Sequence, residues 1–291
     1  MARPQAPVSV TVLGECVADA FTDPARSSSD ELALRALPGG GPANTAVALA
    51  RLGTPTRFLG RFSTDVFGTL FGACLSDAGV DLTAPEPSTL AVADLDETGQ
   101  ATYTFYADSG ADWQWTGEEL ATTGWESAAC LHTGSLALIH QPGGTRIEDH
   151  LAKAREHVTV SIDPNVRPLL VPPAAYRERL PHWCALADIL LLSEDDLALL
   201  LPGADPEEAC DTWHAAGAAV IFPAAFTASG RAAGTPDVAR ARRPPTSSCT
   251  HCGRCRDRSQ VSAFRAFLPG RSVSSPESEG FGLIEYGLSF L

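Results

Sequence analysis

The sequence predicts a doubly wound α/β domain, with a mostly parallel sheet covered by helices on both faces and a small antiparallel hairpin projecting from it. After residue 128, strand-like segments at 130–133, 158–163, 188–192 and 218–222 are each separated by a segment that can form a helix. Strands spaced by helices of this length need crossover connections, and such connections place the strands parallel. A chain of 291 residues with 44% hydrophobic residues can fill the core of such a domain.

The first half of the chain contributes two strand–helix units followed by the hairpin. Residues 8–13 are apolar and rich in valine, which predicts a strand that ends at Gly14. Residues 42–52 predict a helix with a proline in its first turn and Gly53 just past its end. The remaining elements are a strand at 56–59, a helix at 66–78 capped by Asp65, and hairpin strands at 90–94 and 101–106.

Charge divides the chain into two unequal parts. The chain carries 21 basic and 35 acidic residues, and residues 223–291 hold nine of the basic and five of the acidic ones. Residues 1–222 therefore hold 12 basic and 30 acidic residues, and a body this acidic repels phosphate backbones. No apolar run reaches the ~18 residues of a membrane span, and the first residues lack the apolar core of a secretory signal. We therefore expect a cytoplasmic protein that binds neither nucleic acid nor membrane.

Polar clusters follow three of the predicted strands. Glu15 follows the first strand, the run Asp-Pro-Asn-Val-Arg at 163–167 follows a later one, and Ser-Glu-Asp-Asp at 193–196 follows the next. In a doubly wound sheet, ligands bind outside the carboxyl ends of the strands. Asp and Ser at such positions also cap turns and helices. Three clusters together, one of them with an arginine, favour a site that handles hydroxyl groups and phosphate.

Three glycines, at positions 39–41, come directly before the predicted helix at 42–52. Glycines let the backbone approach a ligand closely and present free N–H groups to it. Asn44, in the first helical turn, can both donate to and accept from a pair of sugar hydroxyls. A flexible loop before a well-capped helix is the alternative explanation for the glycines alone.

The whole string at 38–53, Pro-Gly-Gly-Gly-Pro-Ala-Asn-Thr-Ala-Val-Ala-Leu-Ala-Arg-Leu-Gly, resembles the first signature of the ribokinase/PfkB carbohydrate kinase family. Other segments resemble further family motifs in the same order, namely Gly14-Glu15 with Asp19, and the segments at 60–68, 132–136 and 163–168. The resemblance covers residues 8–222 and is greatest to bacterial fructokinases. It implies a ribokinase-like domain at 1–222, with a lid at roughly 88–108 plus part of 15–37, that transfers phosphate from ATP with Mg²⁺ to a sugar hydroxyl.

The resemblance also implies which residues bind the sugar. These residues are Asp19, Gly40, Gly41 and Asn44, with Arg167 facing the sugar or the transferred phosphoryl group. A carboxylate such as that of Asp19 can accept two hydroxyl protons at once, although an aspartate here can also simply cap a turn. Arg167 has an alternative as well, since it can form a surface ion pair with the acidic body. A homodimer formed through the lid is a further expectation.

For the phosphate and magnesium side, the resemblance implies Asp163, Asn165, Ser193 and Asp196. Ser193 and Asp196 stand where the family carries asparagine and glutamate, so oxygen ligands are kept but the shorter aspartate reaches less far. A structural alternative is equally open, because a serine can cap a helix whose first turn holds acidic residues.

The resemblance ends near residue 222. The family's Gly-Ala-Gly-Asp motif, whose amides form an anion hole and whose aspartate is the catalytic base, does not occur in the 291 residues. Residues 223–291 form an anomalous, non-family tail, which either a shifted reading frame or a genuine accessory segment would explain. In the second case Cys249, Cys252 and Cys255 could bind a metal through thiolates, although a second ligand pair is missing.

Three functions therefore remain open on the sequence. The first is a fructokinase-like sugar kinase that is impaired because its catalytic segment is absent. The second is a sugar-binding module without turnover, and the third is a metal-binding protein that works through its cysteine-rich tail.

Overall fold

The structure is a computed structural model that describes residues 9–75, 82–95, 101–218 and 220–224. Its strands are β1 (Val10–Leu13), β2 (Val17–Thr22), β3 (Leu34–Gly39), β4 (Thr56–Leu59), β5 (Arg61–Ser63), β6 (Leu82–Ala84), β7 (Leu90–Leu95), β8 (Ala101–Tyr106), β9 (Cys130–Gly134), β10 (Thr159–Asp163), β11 (Ile189–Ser193) and β12 (Val220–Ala224). Its α-helices are α1 (Gly41–Arg51), α2 (Val66–Cys74), α3 (Gly117–Ala121), α4 (Ser135–Ile139), α5 (Gly143–Ala154), α6 (Pro173–Leu186), α7 (Glu194–Leu200) and α8 (Pro206–Ala216). Short 3₁₀ turns lie at Ala111–Trp113 and Trp125–Ser127.

A six-stranded sheet in the order β12-β11-β10-β9-β1-β4 forms the centre of the fold, and every pair in it is parallel. The predicted doubly wound sheet is thus confirmed. The chain runs from β1 outward to β4 and then returns to the other side of β1 to build β9 to β12. The order therefore reverses between β1 and β9, and the crevice at such a switch point is where open α/β sheets bind ligands.

Two apolar cores cover the two faces of this sheet, because side chains alternate along each strand. In β1, Val10 and Val12 join the core on the α1 side, which includes Ala46 of that helix. Leu13 points the other way and joins the core that contains Ile147 of α5 and residues of α6. A parallel sheet covered on both faces needs such continuous apolar strands, and all four residues of β1 are buried.

A second, four-stranded sheet, in the order β3-β2-β7-β8, is called the lid sheet below. The predicted hairpin is present, since β7 and β8 pair antiparallel from Leu90 opposite Tyr106 to Leu95 opposite Ala101. The sheet as a whole is mixed and not antiparallel, because β2 pairs with β7 in parallel and with β3 antiparallel. Part of 15–37 was expected in the lid, but β2 and β3 were not predicted as its strands.

The ends of α2 differ in how well the sequence predicts them. Asp65 caps the helix as predicted, accepting hydrogen bonds from the backbone N–H of Phe67 (3.0 Å) and Gly68 (2.9 Å). The helix ends at Cys74, short of the predicted 78, and residues 76–81 lie outside the described ranges.

Residues 225–291, with all that was predicted for Cys249, Cys252 and Cys255, also lie outside the described ranges. Among the helices that the structure describes, none is long and apolar enough to cross a membrane.

Candidate functional site

A narrow pocket lies at the switch point, between the carboxyl ends of the central strands and the lid sheet. The enclosed space measures ≈ 10 Å³, about the room that one water molecule takes. The central sheet and its connections contribute Glu15, Gly40, Gly41, Ser135, Leu136, Arg167 and Leu170, and the lid sheet with its approach contributes Val17, Thr89, Ala91 and Phe105. Gly40, Gly41 and Arg167 are therefore brought together as the sequence predicts.

The two glycines of the pocket are required by the backbone for different reasons. Gly40 precedes α1 with φ at 96°, and a Cβ there would lie 2.9 Å from the carbonyl oxygen of Glu15. Both the positive φ and this close approach exclude larger residues. At Gly41 a Cβ would lie 2.7 Å from Nδ2 of Asn165, the far end of a side chain that can turn away.

We expect Gly40→Ala to destabilise the fold by about 1–3 kcal/mol, since it adds both backbone strain and a clash with a backbone oxygen. Gly53→Ala is the matched control, because Gly53 also has positive φ (77°) but a Cβ there would have no atom within 4 Å. Urea unfolding of both variants separates the cost of the positive φ, which both variants share, from the cost of the clash, which only Gly40→Ala has. Equal destabilisation of the two variants would show that the approach to Glu15 carries no penalty.

Asp19 lies on β2 and faces the pocket side of the lid sheet. It sits directly opposite Ala91 of β7, whose own ladder partner is Phe105, and paired residues point to the same face. The Asp19 side chain is only 8% exposed, and within the described residues its Oδ1 has no hydrogen-bond partner. Burial raises the pKa of Asp19 to about 7, although the positive charge of Arg167 opposes this. A buried carboxylate oxygen without a partner is costly, and a sugar hydroxyl would satisfy it.

Arg167 brings a positive charge to the same pocket. Its backbone N–H donates to the Tyr176 hydroxyl (3.3 Å), and its Nη1 donates to the Val166 carbonyl (3.4 Å). Its buried Nε has no partner within the described residues. Burial lowers the pKa of Arg167, and the negative charges of Asp196 and Asp163 oppose that shift. Arg167 is thus held at the pocket by its neighbours while part of its guanidinium is left to bind an oxygen of a ligand.

Asp163 and Asn165 form a strained turn at the end of β10. The Asn165 N–H donates to Oδ1 of Asp163 (3.1 Å), and its Nδ2 donates to Oγ of Ser135 (3.4 Å) at the start of α4. Both Asn165 (φ 42°) and Ser135 (φ 55°) occupy the left-handed region. Burial raises the pKa of Asp163 to about 7, and the negative charge of Asp196 adds to the increase. Asn165 therefore meets the pocket wall at Ser135 and Gly41, and Asp163 holds the turn through the Asn165 N–H.

Ser193 and Asp196 form a helix cap at the start of α7. Oδ2 of Asp196 accepts from the Ser193 N–H (3.0 Å) and hydroxyl (2.7 Å), and the Asp196 N–H donates back to the serine oxygen (3.0 Å). Oδ1 of Asp196 accepts from the Val166 N–H (2.7 Å). These contacts serve the cap, and in the part of the chain that the structure describes no three acidic, histidine or cysteine side chains are grouped to hold a metal ion. This donor set does not fit a directly bound Mg²⁺.

Of the predicted sugar-binding residues, Asn44 and Asp19 are not among the residues that line the narrow space. Asn44 lies in the first turn of α1 as expected. Glu15, from the predicted polar cluster after β1, does line the pocket and accepts from the Ala137 N–H (3.0 Å). Asp112, in the Ala-Asp-Trp segment at 111–113, is a buried carboxylate beside the pocket that was not predicted as a site residue. Its signal in the sequence is an acidic residue between two apolar neighbours.

The raised pKa values predict how stability depends on pH. Asp19, Asp112 and Asp163 each have a folded pKa of about 7 against an ordinary value of 3.8, so the folded state binds more protons between these values. The stabilising effect of these groups is complete below pH 3.8 and is lost as the pH rises through 7. For each group the free energy of unfolding falls by at most about 1.4 kcal/mol per pH unit over this range. His132 acts in the opposite direction below 6.5, because burial lowers its pKa to about 4.

Burial also lowers the pKa of His140, but three carboxyls outweigh these two histidines, so we expect the free energy of unfolding to be larger at pH 6 than at pH 8. Urea titrations at both values measure the difference. Asp19→Asn should reduce this difference between the two free energies of unfolding. Asp94→Asn, at an exposed carboxylate, should not. A chain that is more stable at pH 8 would contradict the assignment of neutral carboxyls to this pocket.

Comparison with known proteins places this geometry in a family. The pattern of the pfkB family carbohydrate kinases matches residues 8–224. A fructokinase from Rhizobium leguminosarum bv. trifolii is 32% identical over 224 residues, which cover 74% of this chain and 68% of that protein. A fructokinase from Klebsiella pneumoniae is 36% identical over 198 residues, which cover 66% of this chain and 62% of that one. The crystal structure of the Xylella fastidiosa fructokinase with bound ATP superposes with a TM-score of 0.67 at 24% identity, covering 76% of this chain and 73% of that one. The chain belongs to the pfkB family of carbohydrate kinases.

Proposed function

We propose that this chain is a fructokinase-like sugar kinase whose sugar pocket lies within the described residues and whose turnover is impaired. One observation carries the proposal: the buried Asp19, with one carboxylate oxygen lacking a partner within the described residues, packs against Gly39, directly before the Gly40–Gly41 backbone that lines the pocket. The fructokinase names of the matched relatives support fructose as the sugar. The chain spans about two thirds of their lengths, and the impaired turnover follows from the absent Gly-Ala-Gly-Asp motif.

In the proposed complex each pocket group has a distinct task. Asp19 accepts hydrogen bonds from sugar hydroxyls, and this fixes the orientation of the sugar ring. The backbone at Gly40 and Gly41 allows the sugar to approach the start of α1, and Arg167 places a positive charge beside the hydroxyl that receives the phosphoryl group. Closing the lid sheet excludes water, which would otherwise compete as the acceptor.

ATP is the proposed phosphoryl donor, in keeping with the ATP-bound fructokinase that shares this fold. We propose that Mg²⁺ arrives with the ATP phosphates, since the contacts of Ser193 and Asp196 are those of a helix cap. Stabilising the charge of the phosphates is the chemistry that the ion supplies. The proposal further places the protein in the cytoplasm, acting on small molecules and not on nucleic acid, as a homodimer through the lid sheet.

Fructose binding tests the proposal directly. We expect fructose to raise the melting temperature of the full chain and to do so more than glucose or ribose at the same concentration, because ligand that binds only the folded state stabilises it. Equal shifts from all three sugars would indicate an effect of the solvent, and no shift from any of them would contradict the assignment.

The second candidate function, a sugar-binding module without turnover, is favoured by the same missing motif. An assay of ADP release distinguishes it from the kinase, since both bind fructose and only the kinase turns over. The third, a metal-binding protein, rests on residues outside the described ranges. Metal analysis of the purified chain tests it without reference to the pocket.

A further inference from the structure

A buried carboxylate links the starts of two neighbouring lid strands. Asp112, in the 3₁₀ turn Ala111–Trp113, is 1% exposed and uses both of its oxygens. Its Oδ1 accepts a hydrogen bond from the Cys16 N–H (3.0 Å), and its Oδ2 accepts one from the Thr89 hydroxyl (2.7 Å). These two donors come from segments that are far apart in the sequence, and each directly precedes a strand of the lid sheet, β2 after Cys16 and β7 after Thr89.

The first donor lies between the end of β1 and the start of β2. Cys16 follows Glu15, which lines the pocket, and its Cα lies 3.4 Å from where a Cβ at Gly40 would be. Fixing the Cys16 amide therefore fixes a segment that closely approaches the backbone of Gly40.

The second donor belongs to the lid. Thr89 lines the pocket and immediately precedes β7, and its carbonyl accepts from the Ala18 N–H (2.8 Å) next to Asp19. The neighbouring Ser88 is held by Asp65, which accepts from its N–H (2.9 Å) and its hydroxyl (2.8 Å). The Ala111 N–H donates to the Pro87 carbonyl (2.9 Å). Residues 87–89 thus form an anchored hinge at the base of the lid sheet.

We propose that Asp112 is a positioning residue that sets the start of the lid strand β7, through Thr89, against the Cys16 segment that leads into β2, and that the affinity for sugar depends on this link. The expected effect on sugar affinity rests on the proposed function, whereas the expected effect on the hinge does not. A carboxylate suits the task because one rigid group accepts from two donors at once. Filling this space for packing alone would favour an apolar side chain, since a buried carboxylate is costly.

Two substitutions at the hinge separate positioning from packing. Thr89→Val keeps the shape and removes the hydroxyl, whereas Thr89→Ser keeps the hydroxyl and removes a methyl group. Glu148→Gln serves as the control, because Glu148 is another buried carboxylate with two partners, Arg179 and Trp183, in the distant α5–α6 interface. Each variant is made in the full chain.

Two measurements are made on each variant. Hydrogen exchange of the peptide 86–95, followed by mass spectrometry without sugar, reports on the hinge itself. Calorimetric titration with fructose reports on affinity. We expect faster exchange and an about tenfold weaker affinity for Thr89→Val, as for the loss of one buried hydrogen bond, and values close to wild type for Thr89→Ser. Glu148→Gln should change neither quantity.

A double-mutant cycle tests whether Asp112 acts through Thr89. Thr89→Val should cost no further affinity when it is added to Asp112→Ala, because the link is already broken. Unchanged exchange in Thr89→Val would overturn the proposal, and so would faster exchange with unchanged affinity. If the wild-type chain binds no fructose, the sugar assignment of the proposed function fails, and the exchange measurement alone decides whether the hinge is held as proposed.

Discussion

With fructose, ATP and Mg²⁺ supplied, the 291-residue chain is expected to release ADP at a rate close to background. The Gly-Ala-Gly-Asp motif, which by resemblance to the family would supply both the catalytic base and the amide anion hole, does not occur in these 291 residues. A general base contributes about 10²–10⁴-fold to the rate, and each anion-hole donor contributes about 10²–10³-fold. Removing both leaves positioning alone, which cannot sustain the roughly 1–100 s⁻¹ typical of kinases.

A chimera provides the matched control for this experiment. Replacing residues 225–291 with the corresponding carboxyl-terminal part of the Rhizobium leguminosarum fructokinase supplies the missing segment to a chain that is 32% identical to it over 224 residues. We expect the chimera to regain turnover by at least about a hundredfold over the original chain, the contribution of a general base alone. Ordinary turnover by the original chain would instead show that another of its residues serves as the base.

Asp19→Ala is expected to abolish the rise in melting temperature that fructose causes. At a fructose concentration of about 100 times Kd the wild-type chain gains roughly 2.7 kcal/mol, and a variant without the carboxylate should gain close to none. In the absence of sugar the same variant should melt higher than wild type at pH 8. The reason is that it removes a buried charge whose raised pKa marks it as unfavourable in the folded state.

The two expected results point in opposite directions, because the response to fructose is lost while stability without sugar increases. A variant that merely unfolds would instead lose both binding and stability. Asp94→Ala is the control, because Asp94 is an exposed carboxylate of the neighbouring strand β7 and accepts a hydrogen bond from the Thr22 hydroxyl at 2.8 Å. It should keep the full response to fructose. An undiminished fructose response in Asp19→Ala would remove Asp19 from the site.

Sequence patterning was sufficient to predict the central sheet, because its strands are short segments rich in apolar and β-branched residues and most of them are separated by helix-compatible segments. The strands β2 and β3 were missed for a physical reason. They belong to a sheet with one face toward a pocket, and β3 ends in Leu-Pro-Gly, which is typical of a turn. The partner of β2 in β7 lies far along the chain, and local propensity does not report such pairing.

The site was predictable in its glycines and less so in its acids. Gly40 and Gly41 are identified by the resemblance of the whole string at 38–53 to the family's first signature. Asp19, Asp112 and Asp196 are chemically the same residue in the sequence. Folding gives Asp19 an oxygen without a partner among the described residues, makes Asp112 a link between the starts of two lid strands and turns Asp196 into part of a helix cap. Those differences arise from burial and from neighbours brought in by the tertiary structure.

The left-handed backbone at Ser135 and Asn165 sets backbone strain against a side-chain contact. Glycine would relax both turns, because only glycine adopts positive φ without steric cost. It would also remove the hydroxyl and the amide that meet at 3.4 Å in the pocket wall. A search for thermostable variants of this chain would therefore favour glycine at both positions, while a design that keeps this polar contact in the pocket wall would retain serine and asparagine there.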